Sequence, residues 1–423
     1  MNCRHCGAAL RHQFLDLGFA PPSNAYLEAE DLRRPERTYP LKLHVCTTCW
    51  LVQTEDYAGA GELFRPDYAY FSSVSSTWLE HARRHAATMI ARLGLGADSL
   101  VVEVASNDGY LLKNFVAAGI PCLGIEPTAS TAAAAEAIGV PTLREFFGRT
   151  LAERLARTGQ RADLVIGNNV YAHVPDINDF TAGLEALLAP GGTITLEFPH
   201  LQQLLAQNQF DTVYHEHFSY LSLGTVSRVF AAAGLRVWDA EALPTHGGSL
   251  RVYGCHADAD REPGANLQRL LAAEDAAGLR SLATYEGFQA RAETLKDDLL
   301  LFLIEQKRLG RRVAAYGAAA KGNTFLNFAG VRPDLLRYVC DAAPSKIGRF
   351  LPGSHIPIVA PDHLRQDRPD VVLILPWNLR DEVSTQLAFV RDWGGCFATA
   401  VPALSVTPCE TAMSSRPTSR RSR

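Results

Sequence analysis

The chain has no uninterrupted run of about eighteen apolar residues, the length that would cross a bilayer. Its amino terminus, MNCRHCGAAL, lacks the apolar stretch of a secretory signal, so a cytoplasmic, unanchored protein is expected. Neither sign of charge is in excess: 41 Lys and Arg stand against 45 Asp and Glu, net −4, which argues against a nucleic-acid partner. Nine cysteines in such a chain do not suggest a disulfide framework, because reducing compartments keep thiols free. A glycine-rich G-x-G-x-x-G turn is also missing after the first strand-like run of the central region, where no glycine precedes Gly109. That weakens a nicotinamide reading and favours an adenosine cofactor without a pyrophosphate.

At 423 residues the chain exceeds what one core usually supports, so two or three packed units are expected. Residues 1–70 are short segments rich in Cys, Pro and Tyr. From 75 to 95 apolar residues recur at three- and four-residue intervals, a helical pattern. Five apolar runs then alternate with helical patterns: LVVEVA (100–105), CLGIEP (122–127), VPTL (140–143), DLVIGNN (163–169) and TITLEF (193–198). This alternation predicts an α/β doubly wound parallel sheet. LRVWDA and SLRVYGC, flanking LPTHGG, read as an antiparallel hairpin closing its edge. A long helical stretch, 266–310, leads to a second, smaller sheet built from RVAAYG (312–317), LRYVCD (336–341), DVVLIL (370–375) and CFATAV (396–401). The last ten residues hold four arginines and no apolar side chain, and read as a disordered tail.

Cys3-x2-Cys6 and Cys46-x2-Cys49 each put two thiolates on a tight turn, half of a tetrahedral zinc site. The 39 residues between the pairs must fold back to unite them. Such a four-thiolate shell leaves no open position, so one structural Zn2+ is expected. Cys122, Cys255, Cys340, Cys396 and Cys409 are scattered and read as thiols without chemistry.

After the first central strand comes EVASNDG, Glu103 to Gly109, opening a helix. Short residues here let a ligand approach the backbone, and the helix start supplies free N–H groups. Glu103, Ser106, Asn107 and Gly109 are therefore cofactor candidates. Glu126 ends the second strand, where a carboxylate can accept both ribose hydroxyls of a bound adenosine. Asn168 and Asn169 end the fourth strand, at the edge where open sheets bind ligands. Simple strand-end and capping roles remain the alternatives for all of these.

The densest polar constellation is YHEHFSY, 214–220. A histidine near neutral pH suits proton abstraction, an adjacent carboxylate can fix its tautomer, and a phenol can donate to a developing enolate. His215, Glu216 and His217 as metal ligands are a weaker alternative, since the spacing is not H-E-x-x-H. Tyr68, His173 and His246 are further candidates, each alone more often structural. In the second sheet GAAAKGNT, with Lys321 and Asn323, follows a strand and opens a helix that can receive phosphate oxygens. Asp341 ends the next strand, much as Glu126 does in the first sheet.

In this order the motifs resemble the sugar C-methyltransferase family of deoxysugar biosynthesis: the four-cysteine module, EVASNDGYLL, NNVYAHVPD, YHEHFSYLS, THGGSLRVY, YGAAAKGNTFLN and LPGSHIPI. The resemblance implies a zinc-binding module (1–70), a class I methyltransferase domain (71–265) binding S-adenosyl-L-methionine, and a Rossmann-like α/β domain (266–410) before the tail (411–423). It implies that His217 is the general base, that Tyr214 and Glu216 support it, and that Tyr68 and His173 contact sugar or cofactor. His246, Lys321, Asn323 and Asp341 are expected to hold the substrate, a dTDP-linked 4-keto-6-deoxyhexose methylated at C3 or C5. Ala105 departs from the family's usual glycine before the Ser-Asn-Asp-Gly turn. A monomer is expected, since three domains need no partner. The rivals are a nicotinamide-dependent nucleotide-sugar oxidoreductase or epimerase, and a zinc-bearing scaffold.

Overall fold

In His12–Ala20 the alternate leucines Leu15 and Leu17 are buried, while the residues between and around them, apart from Ala20, are half-buried or exposed. This period of two marks a strand with one covered face. The computed structural model describes residues 1–57 and 71–407. The chain divides into two compact units, one comprising Met1–Asn24 and Arg37–Ala292, the other Ala25–Glu36 and the chain from Glu293 onward.

In the first unit, β1 (His12–Ala20), β2 (Tyr39–Val45) and β3 (Val52–Thr54) form an antiparallel sheet that carries the chain back between the two cysteine pairs. Each pair sits on a turn closed by an i to i+4 backbone bond: Gly7 N–H donates to the Cys3 carbonyl at 2.9 Å, and Trp50 N–H to that of Cys46 at 2.8 Å. The closing residue has a positive φ in both, 73° for Gly7 and 64° for Trp50. Tryptophan is an uncommon occupant of that conformation.

Helix Ser76–Leu93 follows, capped at its start by the Ser75 hydroxyl and ended by left-handed Gly94. The central sheet then contains β4 (Val101–Val104), β5 (Cys122–Ile125), β6 (Thr142–Leu143), β7 (Ala162–Asn168) and β8 (Leu188–Pro199). β9 (Ser219–Tyr220) intervenes before the hairpin of β10 (Leu235–Leu243) and β11 (Ser249–His256). The sheet order is β10-β11-β8-β7-β4-β5-β6, parallel from β6 to β8 with the hairpin antiparallel at the edge, as the alternation predicts. Strand order reverses at β4, so the carboxyl ends of β4 and β7 face the crevice where such sheets take ligands. β9 is the exception to the predicted plan: it joins the cysteine-bearing sheet, with Val52 opposite Tyr220 and Gln53 opposite Ser219.

The helical stretch read as 266–310 is two helices, Ala265–Ala276 and Phe288–Arg308, with a turn at Leu282–Thr284. In the second unit β12 (Val313–Tyr316), β13 (Val339–Cys340), β14 (Ile358–Val359), β15 (Val371–Ile374), β16 (Cys396–Thr399) and β17 (Ser405–Val406) form one sheet in the order β14-β13-β12-β15-β16-β17. Only β17 is antiparallel to its neighbour. β14 and β17, two residues each, are too short to leave a pattern in the sequence. Ala25–Glu36 attaches to this unit by paired backbone bonds between Leu27 and Phe350.

Candidate active site

The turn after β4 reverses its backbone three times in five residues, with positive φ at Ala105 (56°), Asn107 (50°) and Gly109 (75°). Gly109 also lies so close to helix Ala129–Ala137 that a Cβ would stand 3.2 Å from that of Ala135. The Glu126 carboxylate braces this turn from the end of β5, accepting the N–H groups of Asn107 at 3.0 Å and Thr128 at 2.8 Å. Ser72 and Ser73 donate their N–H groups to the side chains of Asn107 and Asp108.

Around the turn stand buried polar atoms with no protein partner: Ser106 Oγ, Asp108 Oδ1 and both polar atoms of the Asn168 amide, with the buried Glu103 carboxyl beside the Tyr110 phenol. Ser106 is fully buried, its hydroxyl packed against Gly124. Burial pushes the Glu103 carboxyl well above the usual range, with the charges of Asp108 and Glu126 adding to the effect and the Tyr110 phenol opposing it. Buried polar groups are ordinarily hydrogen-bonded. This orphaned set, at the crevice between β4 and β7, fits a polar ligand such as the ribose and amino-acid parts of S-adenosylmethionine.

One strand over, Glu197 gathers a network. Its backbone carbonyl accepts Asn169 N–H at 2.7 Å, and its carboxylate is within 2.8 Å of His81 Nε2, 2.6 Å of Arg251 Nη2 and 2.9 Å of Thr245 Oγ1. Burial alone would raise its pKa, but His81, Arg251 and Thr245 outweigh this and hold it at about 2. Arg251 is shared with Glu241, which also accepts from the Tyr253 phenol. Asn169 Nδ2 lies 3.3 Å from His246 Nε2, and Trp78 packs on both His81 and His246. Asn169 and His246 both have positive φ, 53° and 55°.

The segment 214–220 brings two of its expected residues, Tyr214 and His217, together with distant His173. The His217 ring lies 3.9 Å from that of Tyr214 and 4.6 Å, edge to face, from that of His173. His217 Nδ1 is 2.9 Å from the Thr212 carbonyl; a carbonyl can only accept, so Nδ1 carries the hydrogen and the neutral ring's lone pair sits on Nε2. Burial lowers the His173 pKa to about 4, the Glu216 carbonyl opposing, so this ring is neutral at physiological pH. Burial pushes Glu216 up to about 7, although Asn24 Nδ2 donates to one of its oxygens at 3.2 Å. His215 turns away toward the carbonyls of Tyr39 and Pro40, which removes it from any shared metal site with Glu216 and His217.

The four cysteines converge: Cys3, Cys6, Cys46 and Cys49 present sulfurs within 4.8 Å of one another. Cys3–Cys49 and Cys6–Cys46 are separated by 3.5 and 3.6 Å between Sγ atoms. Zn–S bonds of about 2.3 Å in a tetrahedron imply an S–S spacing of about 3.8 Å, so the cage fits zinc, whereas a disulfide would need about 2.0 Å. Among the described residues no other such cluster of metal-ligating side chains occurs.

Three family models match the chain in succession: a zinc binding domain over residues 3–64, a methyltransferase domain over 78–240 and a C-methyltransferase C-terminal domain over 244–402. The C-methyltransferase NovU of Streptomyces niveus is 34% identical over 412 residues, 97% of this chain and 98% of NovU. The chain belongs to the C-methyltransferase family. It is an S-adenosylmethionine-dependent methyltransferase with a class I α/β domain. It is also similar to solved structures of magnesium protoporphyrin IX methyltransferase from Synechocystis PCC 6803 (15% identity, TM-score 0.32, 42% of this chain and 80% of that one). Another is an S-adenosylmethionine-dependent methyltransferase from Clostridium acetobutylicum (9%, 0.34, 42% and 91%).

In the second unit of this C-methyltransferase, Lys321 Nζ bonds Asn378 Oδ1 at 3.2 Å and lies over the Trp377 ring, while Asn323 is buried in helix Ala320–Phe328. Asp341 accepts the N–H groups of Ala318 and Ala343, both at 2.8 Å, and pairs with Lys346 at 3.5 Å. Tyr68, Cys409 and the arginine-rich tail lie outside the described residues. The sequence reading missed His81, Glu197, Arg251, Asn24 and Thr212. Two of these left a signal: Glu197 in TITLEF and Arg251 in SLRVYGC are charges inside otherwise apolar strands, and both are buried. Lys, Arg, Asp and Glu are almost never fully buried unless paired. Among the described residues no helix is long and apolar enough to cross a membrane.

Proposed function

We propose that this C-methyltransferase methylates a carbon adjacent to the ketone of a nucleotide-linked 4-keto-6-deoxyhexose, C3 or C5, through a base-generated enolate. The observation that carries the reading is the Thr212 carbonyl on His217 Nδ1, which leaves the Nε2 lone pair as the proton acceptor beside a phenol and a neutral imidazole.

The ketone acidifies the neighbouring C–H because the carbanion delocalises onto oxygen. His217 Nε2 takes that proton, the Tyr214 phenol donates to the developing oxyanion, and His173, kept neutral by burial, adds no competing charge. Glu103, Glu126, Asn107, Asn168 and Asn169 would hold S-adenosylmethionine, which when bound supplies an electrophilic sulfonium methyl. The protein contributes alignment and exclusion of water. Asn169 and His246, already joined at 3.3 Å, line the sugar side of the crevice in this reading. The turn bearing Lys321 and Asn323 in the second unit is read as a nucleotide contact. Cys3, Cys6, Cys46 and Cys49 would hold one zinc ion that stabilises without entering the chemistry. The motif resemblance supports a dTDP-linked sugar and a place in deoxysugar biosynthesis.

His217→Asn tests this. With a dTDP-4-keto-6-deoxyhexose in D2O, the variant should lose exchange of the acidic sugar hydrogen by at least about a hundredfold while retaining its fold and its affinity for S-adenosylmethionine. Undiminished exchange would remove His217 as the base.

A further inference from the structure

The first cysteine knuckle does more than present two thiolates. Arg4, between Cys3 and Cys6, has a side chain only 6% exposed, and its guanidinium pairs with the exposed Asp56 at 2.8 Å and forks between the end of strand β3 and the Pro175 loop. Nη2 donates to the Thr54 carbonyl at 2.9 Å and Nη1 to the Pro175 carbonyl at 2.8 Å, while the group lies 5.3 Å from the centre of the Phe218 ring. Pro175 is two residues past His173, and Phe218 directly follows His217.

Thr54 closes the circuit. Its N–H donates to the Phe218 carbonyl at 3.2 Å and its hydroxyl to the His217 carbonyl at 3.1 Å, while Phe218 N–H donates to Ala172 at 2.8 Å. The knuckle is held to the same strand by Gln53, which accepts Arg4 N–H at 2.9 Å and donates to Cys3 Sγ at 3.2 Å. On the far side Asn178 Nδ2 donates to the carbonyls of Arg4 and His5.

We propose that Arg4 is a positioning residue that couples the metal-loaded knuckle to the spacing of His173 and His217. A zinc cage fixes the Cys3–Cys6 turn, the turn fixes the direction of Arg4, and the planar fork holds the Pro175 loop and strand β3 at one separation. Lysine offers a single point charge and cannot make both bonds in that fixed geometry. This assignment rests on the reading of His217 and His173 as site residues, but the clamp itself can be measured without it.

The test uses the full-length, zinc-loaded enzyme with Arg4→Met and Arg4→Lys. Both should keep full zinc content, and both should bind S-adenosylmethionine within about twofold of wild type. In Arg4→Met, kcat with a dTDP-4-keto-6-deoxyhexose should fall about tenfold with KM within about twofold, and amide hydrogen exchange in 170–175 and 214–220 should quicken about tenfold while 101–104 stays unchanged. Arg4→Lys should recover only part of each effect. Zinc chelation below the melting transition should quicken exchange in the same two segments. Native exchange and kcat in both zinc-loaded variants would overturn the proposal. So would chelation that leaves 170–175 and 214–220 protected. Exchange at 214–220 reports the clamp whichever group removes the sugar proton, so failure of His217 as base would be seen separately in His217→Asn.

Discussion

In the methyltransferase sheet the carboxylate ending the second strand, Glu126, accepts N–H groups from Asn107 in the preceding strand's turn and from Thr128 two residues on. In the second sheet Asp341 does the same with Ala318 and Ala343. The backbone device is shared, but the surroundings differ. Asp341 pairs with Lys346, whose ammonium also donates to the Ala318 carbonyl at 2.8 Å, so this carboxylate is neutralised from within. Among the described residues Glu126 enters no ion pair, and around it Ser106, Asp108 and Asn168 keep buried polar atoms without protein partners. A strand-end acid with this backbone device is therefore common to both sheets. What sets the first apart is the greater number of buried polar atoms without partners around it.

The largest expected contrast between the two is in cofactor affinity. Glu126→Ala should weaken S-adenosylmethionine binding by about thirty- to a hundredfold, about 2–3 kcal/mol, whereas Asp341→Asn should change it less than about twofold. Calorimetric titration of both variants measures this, with Glu126→Gln as a check on the fold of the turn. Equal losses would erase the distinction between the sheets.

A smaller effect concerns pH. Glu216 in the first unit is raised from 4.5 to about 7, so below about pH 4 both folded and unfolded states hold the proton. As pH rises through that window the unfolded chain ionises first, and stability falls by up to about 3 kcal/mol. Glu216→Gln should flatten this decline in denaturant titrations between pH 4.5 and 7. A slope unchanged in the variant would assign the dependence to another group.

The smallest effect is at the turn itself. Ala105 carries its Cβ at a φ of 56°, where glycine is free of strain. Ala105→Gly should raise stability by less than about 1 kcal/mol, part of the relief being offset by the entropy of glycine in the unfolded chain. A loss of stability in urea unfolding would mean that the methyl group is packed to advantage.

Much of this was legible in the sequence because it is local. Apolar runs with turn residues between them give the strands of both sheets. C-x2-C turns give the thiolate pairs, and the crowding of Tyr214, Glu216 and His217 singles out the segment proposed for acid-base work. The illegible parts depend on contacts between distant residues. Nothing in HFSYL announces that Ser219 and Tyr220 pair with Gln53 and Val52, because two residues carry no periodicity and the register comes from packing. The Arg4 fork joins residues about 50 and 170 positions away, and an arginine in a polar knuckle reads as a surface charge. Glu197 and Arg251 were visible as charges in apolar strands, but their partner His81 lies on a helix more than a hundred residues earlier.

The central claim is carbon methylation next to a sugar ketone, and transfer of a 13C-labelled methyl from S-adenosylmethionine to a panel of dTDP-4-keto-6-deoxyhexoses tests it most directly. Heteronuclear NMR of the product should place the label on C3 or C5, bonded to carbon and coupled to the ring atoms flanking C4. A label found on oxygen or nitrogen, or no transfer to any keto-sugar nucleotide under conditions where the enzyme binds its cofactor, would contradict it.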